Sequence, residues 1–122
     1  MRKVYYHKLI RDKIPEKMKA KGVAFAVRKL GRKKFEAELL QKVGEEASGL
    51  LPAKTKEELV SEMADVVDVL EEVKKLKNIT QKQIEAVRKV NAKKKGGFEK
   101  RIFLVWSADD GYKTNERRYG KK

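Results

Sequence analysis

Three acids in this chain sit where apolar side chains belong. Glu62 and Asp65 are three residues apart in a stretch of helical periodicity, so they stack on successive turns of one face. At about 100° per residue, Glu62 falls inside the apolar arc of its helix and Asp65 just beyond its edge. Glu46, one helix earlier, falls between Phe35 and Leu39 on that helix's apolar arc, with Glu45 on the flank. A carboxylate buried without a partner is strongly penalised or loses its charge. Several converging carboxylates repel one another, and a hard dication relieves both problems. Magnesium favours carboxylate oxygen and water, and helix bundles build metal sites from inward acids on facing helices. Glu46, Glu62 and Asp65 are therefore candidate ligands for Mg2+, with Mn2+ as a substitute. The competing reading is that lysines neutralise the acids, since Lys42 lies four residues before Glu46.

Two helices must hold these acids. Phe35, Leu39, Val43, Ala47 and Leu50 recur at spacings of three and four, which predicts a helix over 33–50 that ends before Pro52. Thr55 followed by Glu58 is a capping box and opens a second helix over 56–76, with Leu59, Met63, Val66, Leu70 and Val73 as the centre of its apolar face. Thr80 and Gln83 form another box before Ile84, Val87 and Val90, and the glycines at 96 and 97 stop that helix. A short helix over 16–21 follows Pro15 and stops at Gly22. Residues 23–28 alternate and predict a brief extended segment. The apolar segment 98–106 is β-prone and expected to pack back on the bundle, and 107–122 reads as a polar tail. The fold class is all-α, a bundle of four to five helices with a short extended C-terminal segment.

With 122 residues the chain is read as one domain, 1–122. It has no cysteine and one histidine, His7, which excludes disulfides, thiolate zinc sites and histidine-rich metal sites. No apolar run reaches the roughly 20 residues of a membrane helix, and the opening residues lack a signal-peptide core. The expectation is a cytoplasmic protein with no membrane partner. The net charge of +14 implies affinity for anions such as nucleotides, with a solvated lysine-rich surface as an equal reading of the lysines that leaves the acids unexplained. Tyr5, Tyr6 and Phe98 could stack on a base, with core packing the simpler role. Trp106 is expected in a core or subunit interface, and His7 at the surface.

Glu62-Met63-Ala64-Asp65 matches the second half of an ExxE…ExxD motif, and Glu46-Ala47-Ser48-Gly49 aligns with the first half across a spacer of twelve residues, 50–61. Upstream stands the run KLIRDKIP, residues 8–15, and downstream GGFEK, residues 96–100. With these motifs in order, residues 6 to 104 resemble the all-α MazG-like nucleoside triphosphate pyrophosphohydrolases, the superfamily that includes phosphoribosyl-ATP pyrophosphohydrolase. Within it, the flanking motifs resemble a small house-cleaning subgroup.

The resemblance implies a helical bundle that dimerises through its helices, as a homodimer or tetramer. A broad apolar face over 59–76 agrees with that. It also implies Mg-dependent hydrolysis of a nucleoside triphosphate between the α and β phosphates, giving monophosphate and pyrophosphate, with non-standard nucleotides as targets of the subgroup. Glu45 or Glu46 is then the residue that orients or deprotonates the attacking water. Lys8 and Arg11 bind phosphate by the same resemblance, with Asn91, Lys94 and Lys95 as further candidates. Gly49 stands where the motif's second glutamate would be, so Glu45 or Asp68 is in reserve as a ligand. The alternative is a catalytically weak or inactive relative that binds nucleotides, or less favourably nucleic acid, through its basic surface.

Overall fold

The structure is a computed structural model and describes residues 1–113 and residue 116. The described residues form four helices and no strand: α1 (Ile14–Ala20), α2 (Arg32–Ala47), α3 (Lys56–Lys77) and α4 (Gln81–Lys95). The all-α expectation holds. Residues 23–28 and 98–106, expected to be extended, join no ladder. Part of the tail expected over 107–122 lies outside the described residues.

Local chemistry sets the helix ends. Pro15 occupies the first turn of α1, where its missing N–H is no loss. Beyond Ala20 the chain turns through Gly22 at φ +72°, and the Val23 N–H returns to the Met18 carbonyl at 3.0 Å. α3 is capped at both ends. The Thr55 hydroxyl accepts from the Glu58 N–H at 3.0 Å, while the Glu58 carboxylate accepts the N–H of Lys54 at 2.8 Å. At its other end Asn78 adopts the left-handed conformation, φ 54°, and Ile79 N–H bonds the Lys74 carbonyl at 2.9 Å. Glu57 and Glu58 in the first turn and Lys74, Lys75 and Lys77 in the last complement its dipole. The Thr80 box is reciprocal, with Thr80 N–H on Gln83 Oε1 at 2.8 Å and Gln83 N–H on Thr80 Oγ1 at 3.1 Å.

α2 is built differently. It starts at Gly31 without a side-chain cap, and its first turn carries no acid and its last turn no base. Arg32, Lys33 and Lys34 open it and Glu45 and Glu46 close it, the reverse of what the helix dipole favours. It ends at Ala47, three residues before the expected Leu50. The N–H groups of Gly49 and Leu50 turn back to the carbonyls of Glu46 and Ala47, both at 3.1 Å. Gly49 thus belongs to the turn after the helix, where it carries no helix-interior penalty.

α2 and α3 pack together and are, among the described residues, the helices in contact with each other. They run antiparallel. Arg32 at the start of α2 donates to the Leu76 carbonyl at 2.8 Å, and Lys77 bonds Glu36 at 3.2 Å. At the other end, Glu46 and Gly49 meet Glu62. Leu39 is the one buried residue of the described chain, 5 % exposed. Around it Phe35, Val43 and Leu50 are half-buried. The face of α3 toward this seam is Glu62, Asp65, Val66, Val69, Val73 and Leu76, all half-buried. The expected centre of that face is shifted: Leu59, Met63 and Leu70 are 41–53 % exposed and form, with Val67, a second apolar stripe open to solvent.

The chain divides within α4 into two compact units, Met1–Ala86 and Val87–Lys122. The first holds α1, α2, α3 and the start of α4. In the second, the rest of α4 leads through Gly96, at φ +76°, into an irregular segment. There Phe98, Phe103 and Trp106 are exposed, where packing was expected. The Asp109 and Asp110 carboxylates accept the N–H groups of Gly111 and Tyr112, each at 3.0 Å.

Candidate metal centre

The carboxylates of Glu46, Glu62 and Asp65 converge where the last turn of α2 faces α3. One oxygen from each lies within 4.8 Å of the others, and all three residues are half-buried. The antiparallel seam produces this. Glu62 and Asp65 share the face that continues into Val66, Val69 and Val73, so packing those valines on α2 carries both acids to the end of the seam. Glu46 reaches them from the final turn of α2.

The donor set suits a small hard cation. With one oxygen from each acid within 4.8 Å of the others, all three could reach one small cation from where they stand, after side-chain adjustment. Three carboxylates leave positions for water, which magnesium retains readily. Glu46 and Glu62 would hold it from opposite helices, with Asp65 beside Glu62. Asp68, held in reserve as a ligand, is outside this group.

Protein cations also reach the cluster. Lys42 Nζ lies 3.4 Å from Glu46 Oε1 and 3.6 Å from Glu45 Oε2. Arg11 bridges two acids of α3, with Nη2 on Asp65 Oδ1 at 2.9 Å and Nη1 on Asp68 Oδ2 at 2.8 Å. The guanidinium pKa is raised, chiefly by its hydrogen bond and charge interaction with Asp68 and then by Asp65. Both expectations for the acids thus have their residues in place: a convergent ligand set, and basic side chains that offset two of its members. Among the described residues no ion pair or side-chain hydrogen bond reaches Glu62.

The other expected residues are placed as follows. Glu45 is exposed on the flank of α2, beside Glu46 and held by Lys42. Lys8 is exposed with its ammonium 5.0 Å from the Tyr6 ring centroid, and His7 stacks on Tyr5. Asn91, Lys94 and Lys95 are exposed on the last turns of α4, in the second unit.

Two features of the site were not anticipated. Arg11 is a counter-ion of the acids, 54 residues from Asp65 in sequence, and no local pattern links the two. Gly49 lies directly against Glu62: a Cβ at position 49 would run into the Glu62 carboxylate, 2.8 Å from its Cδ.

Fold and site together define an antiparallel helix pair with a three-carboxylate centre at one end. Comparison with known protein families, curated proteins and solved structures finds no match to the chain.

Proposed function

We propose that the protein is a magnesium-dependent nucleoside triphosphate pyrophosphohydrolase of the MazG-like kind. The observation that carries this reading is the convergence of Glu46, Glu62 and Asp65 from two helices into a group of cation-binding size. These are the acids of the ExxE…ExxD pattern that survive in this chain. α2 carries Glu45 and Glu46 at its negative end, against its own dipole, which supports a role for them beyond helix stability.

Glu46, Glu62 and Asp65 would hold a Mg2+ or Mn2+ ion, which would supply positive charge for phosphate oxygens and favour deprotonation of an attacking water. With Glu46 engaged in the cluster, Glu45 beside it accepts the proton of the water. Water adds to the α phosphorus, the bond from that phosphorus to the bridging oxygen breaks, and the products are nucleoside monophosphate and pyrophosphate. Lys8 and Arg11 supply cations to the polyphosphate, Arg11 in forked geometry. A second copy of the chain covers the open stripe of Leu59, Met63, Val67 and Leu70, giving a homodimer or a tetramer.

The test is pyrophosphate release from a panel of ribo- and deoxyribonucleoside triphosphates, including oxidised and methylated bases, with Mg2+. Turnover above a Glu62→Ala control, abolished by chelator, is the expected result. Its absence across the panel sinks the enzyme reading.

The pairing of Lys42 with Glu46 and of Arg11 with Asp65 favours a second reading, a binding protein whose acids are already neutralised. Such a protein would use its +14 charge to hold nucleotides or nucleic acid. Its affinity must then fall steeply as salt rises; salt-independent binding dismisses it.

A further inference from the structure

On the metal reading above, we infer that Gly49 is the positioning residue that seats Glu62, so the glycine completes the centre where it looked like a missing ligand. Each acid of the cluster has its own restraint. Glu46 is held by Lys42 and Asp65 by Arg11. Among the described residues Glu62 has no such partner, and what bounds its carboxylate is the backbone at position 49. A Cβ there would overlap Glu62 Oε2 and lie 2.8 Å from Cδ and 3.3 Å from the Glu46 carbonyl oxygen. The space that any side chain at 49 needs is the space the Glu62 carboxylate fills.

This gives a sign to the substitution that looks most like a repair. Gly49→Glu adds a fourth acid, but its Cβ evicts Glu62 from the cluster and adds one more negative charge to it. A carboxylate on a free side chain yields more easily than the backbone turn, so the helix pair persists while the ligand set comes apart. Gly44, five residues earlier in α2, provides the contrast: a Cβ there meets nothing within 4 Å.

The experiment is titration of Mn2+ alone into the full chain, with free ion read by electron paramagnetic resonance and the fold by circular dichroism. Wild type and Gly44→Ala are expected to bind alike. Gly49→Ala is expected to bind about tenfold or more weakly, the loss typical when a residue that orients a ligand is changed, with an unchanged helical spectrum. Gly49→Glu is expected to bind no tighter than Gly49→Ala. Glu62→Asp, one methylene shorter, weakens binding by itself, but it is expected to lose less than wild type does when alanine is introduced at 49. Gly49→Ala binding like wild type, or Gly49→Glu binding more tightly, overturns the role of Gly49 while leaving the metal site standing. Absence of Mn2+ binding by wild type overturns the metal reading and this role with it.

Discussion

Arg11 pairs with Asp65 and Asp68, and Asp65 is also a member of the three-carboxylate group. If that group holds a metal ion as proposed, the guanidinium and the ion would compete for the Asp65 carboxylate, so removing one should favour the other. Arg11→Ala is then expected to tighten Mn2+ binding several-fold and, on the proposed role of Arg11 in holding the polyphosphate, to raise KM for the nucleotide. Its effect on stability is expected to stay within about 1 kcal/mol, as for other exposed ion pairs. Isothermal titration and steady-state kinetics on the same variant separate the two effects; unchanged metal affinity would show that Arg11 and the ion do not share Asp65. Because the Arg11 pKa is raised, its contribution is fully present below the ordinary arginine range and is lost only as pH climbs through the still higher folded value. At this scale the acids were legible in the sequence, since helical spacing alone puts Glu46 and Glu62 on inward faces. Arg11 was not legible as their counter-ion, because an ion pair across 54 residues leaves no local trace. The seat at Gly49 was not legible either, because a glycine shows what it makes room for only when its neighbour is known.

Helix α3 agrees with its local signals at every point, with a cap at Thr55, acids first, bases last and a left-handed Asn78 at the stop. Thr55→Ala is expected to cost about 1 kcal/mol, the usual loss for an N-cap, measured as a lower denaturation midpoint with unchanged slope. α2 lacks these end signals and packs along α3. Arg32 and the Lys77–Glu36 pair fasten one end of the seam, and the acid cluster lies at the other. A cation at that cluster relieves repulsion at the negative end of α2, so Mg2+ is expected to raise the melting temperature. At one hundred times the dissociation constant the gain is about 2.7 kcal/mol. Glu62→Gln is expected to remove that increment. Capping boxes and prolines located the helix starts in the sequence. The inward face of α3 was misplaced because its apolar residues span two stripes, and periodicity cannot tell which stripe meets α2. The end of α2 came early because the turn at 48–50 forms i to i+3 bonds that spacing does not foretell.

At the scale of the molecule, one buried residue among those described is a small core for a chain of this length. Leu59, Met63, Val67 and Leu70 line a helix face that is about half exposed, and a monomer rarely leaves a large apolar stripe in water. The proposed self-association would cover it, because the stripe runs along one continuous helix and could meet its own copy about a two-fold axis. Met63→Glu and Leu70→Glu are each expected to shift light-scattering mass toward the monomer and to lower the melting temperature together. A wild-type mass of one chain at micromolar concentration would contradict the dimer. No helix among the described residues is long and apolar enough to cross a membrane, and the charge of +14 suits anionic ligands. Activity on a nucleoside triphosphate is nevertheless the claim on which the account turns, and the position of cleavage tests it most directly. Phosphorus NMR of a deoxyribonucleoside triphosphate with the full chain and Mg2+ should show pyrophosphate and monophosphate rising together in equal amounts, and neither with Glu62→Gln. Orthophosphate and diphosphate as the products, or equal rates for the two proteins, would contradict it.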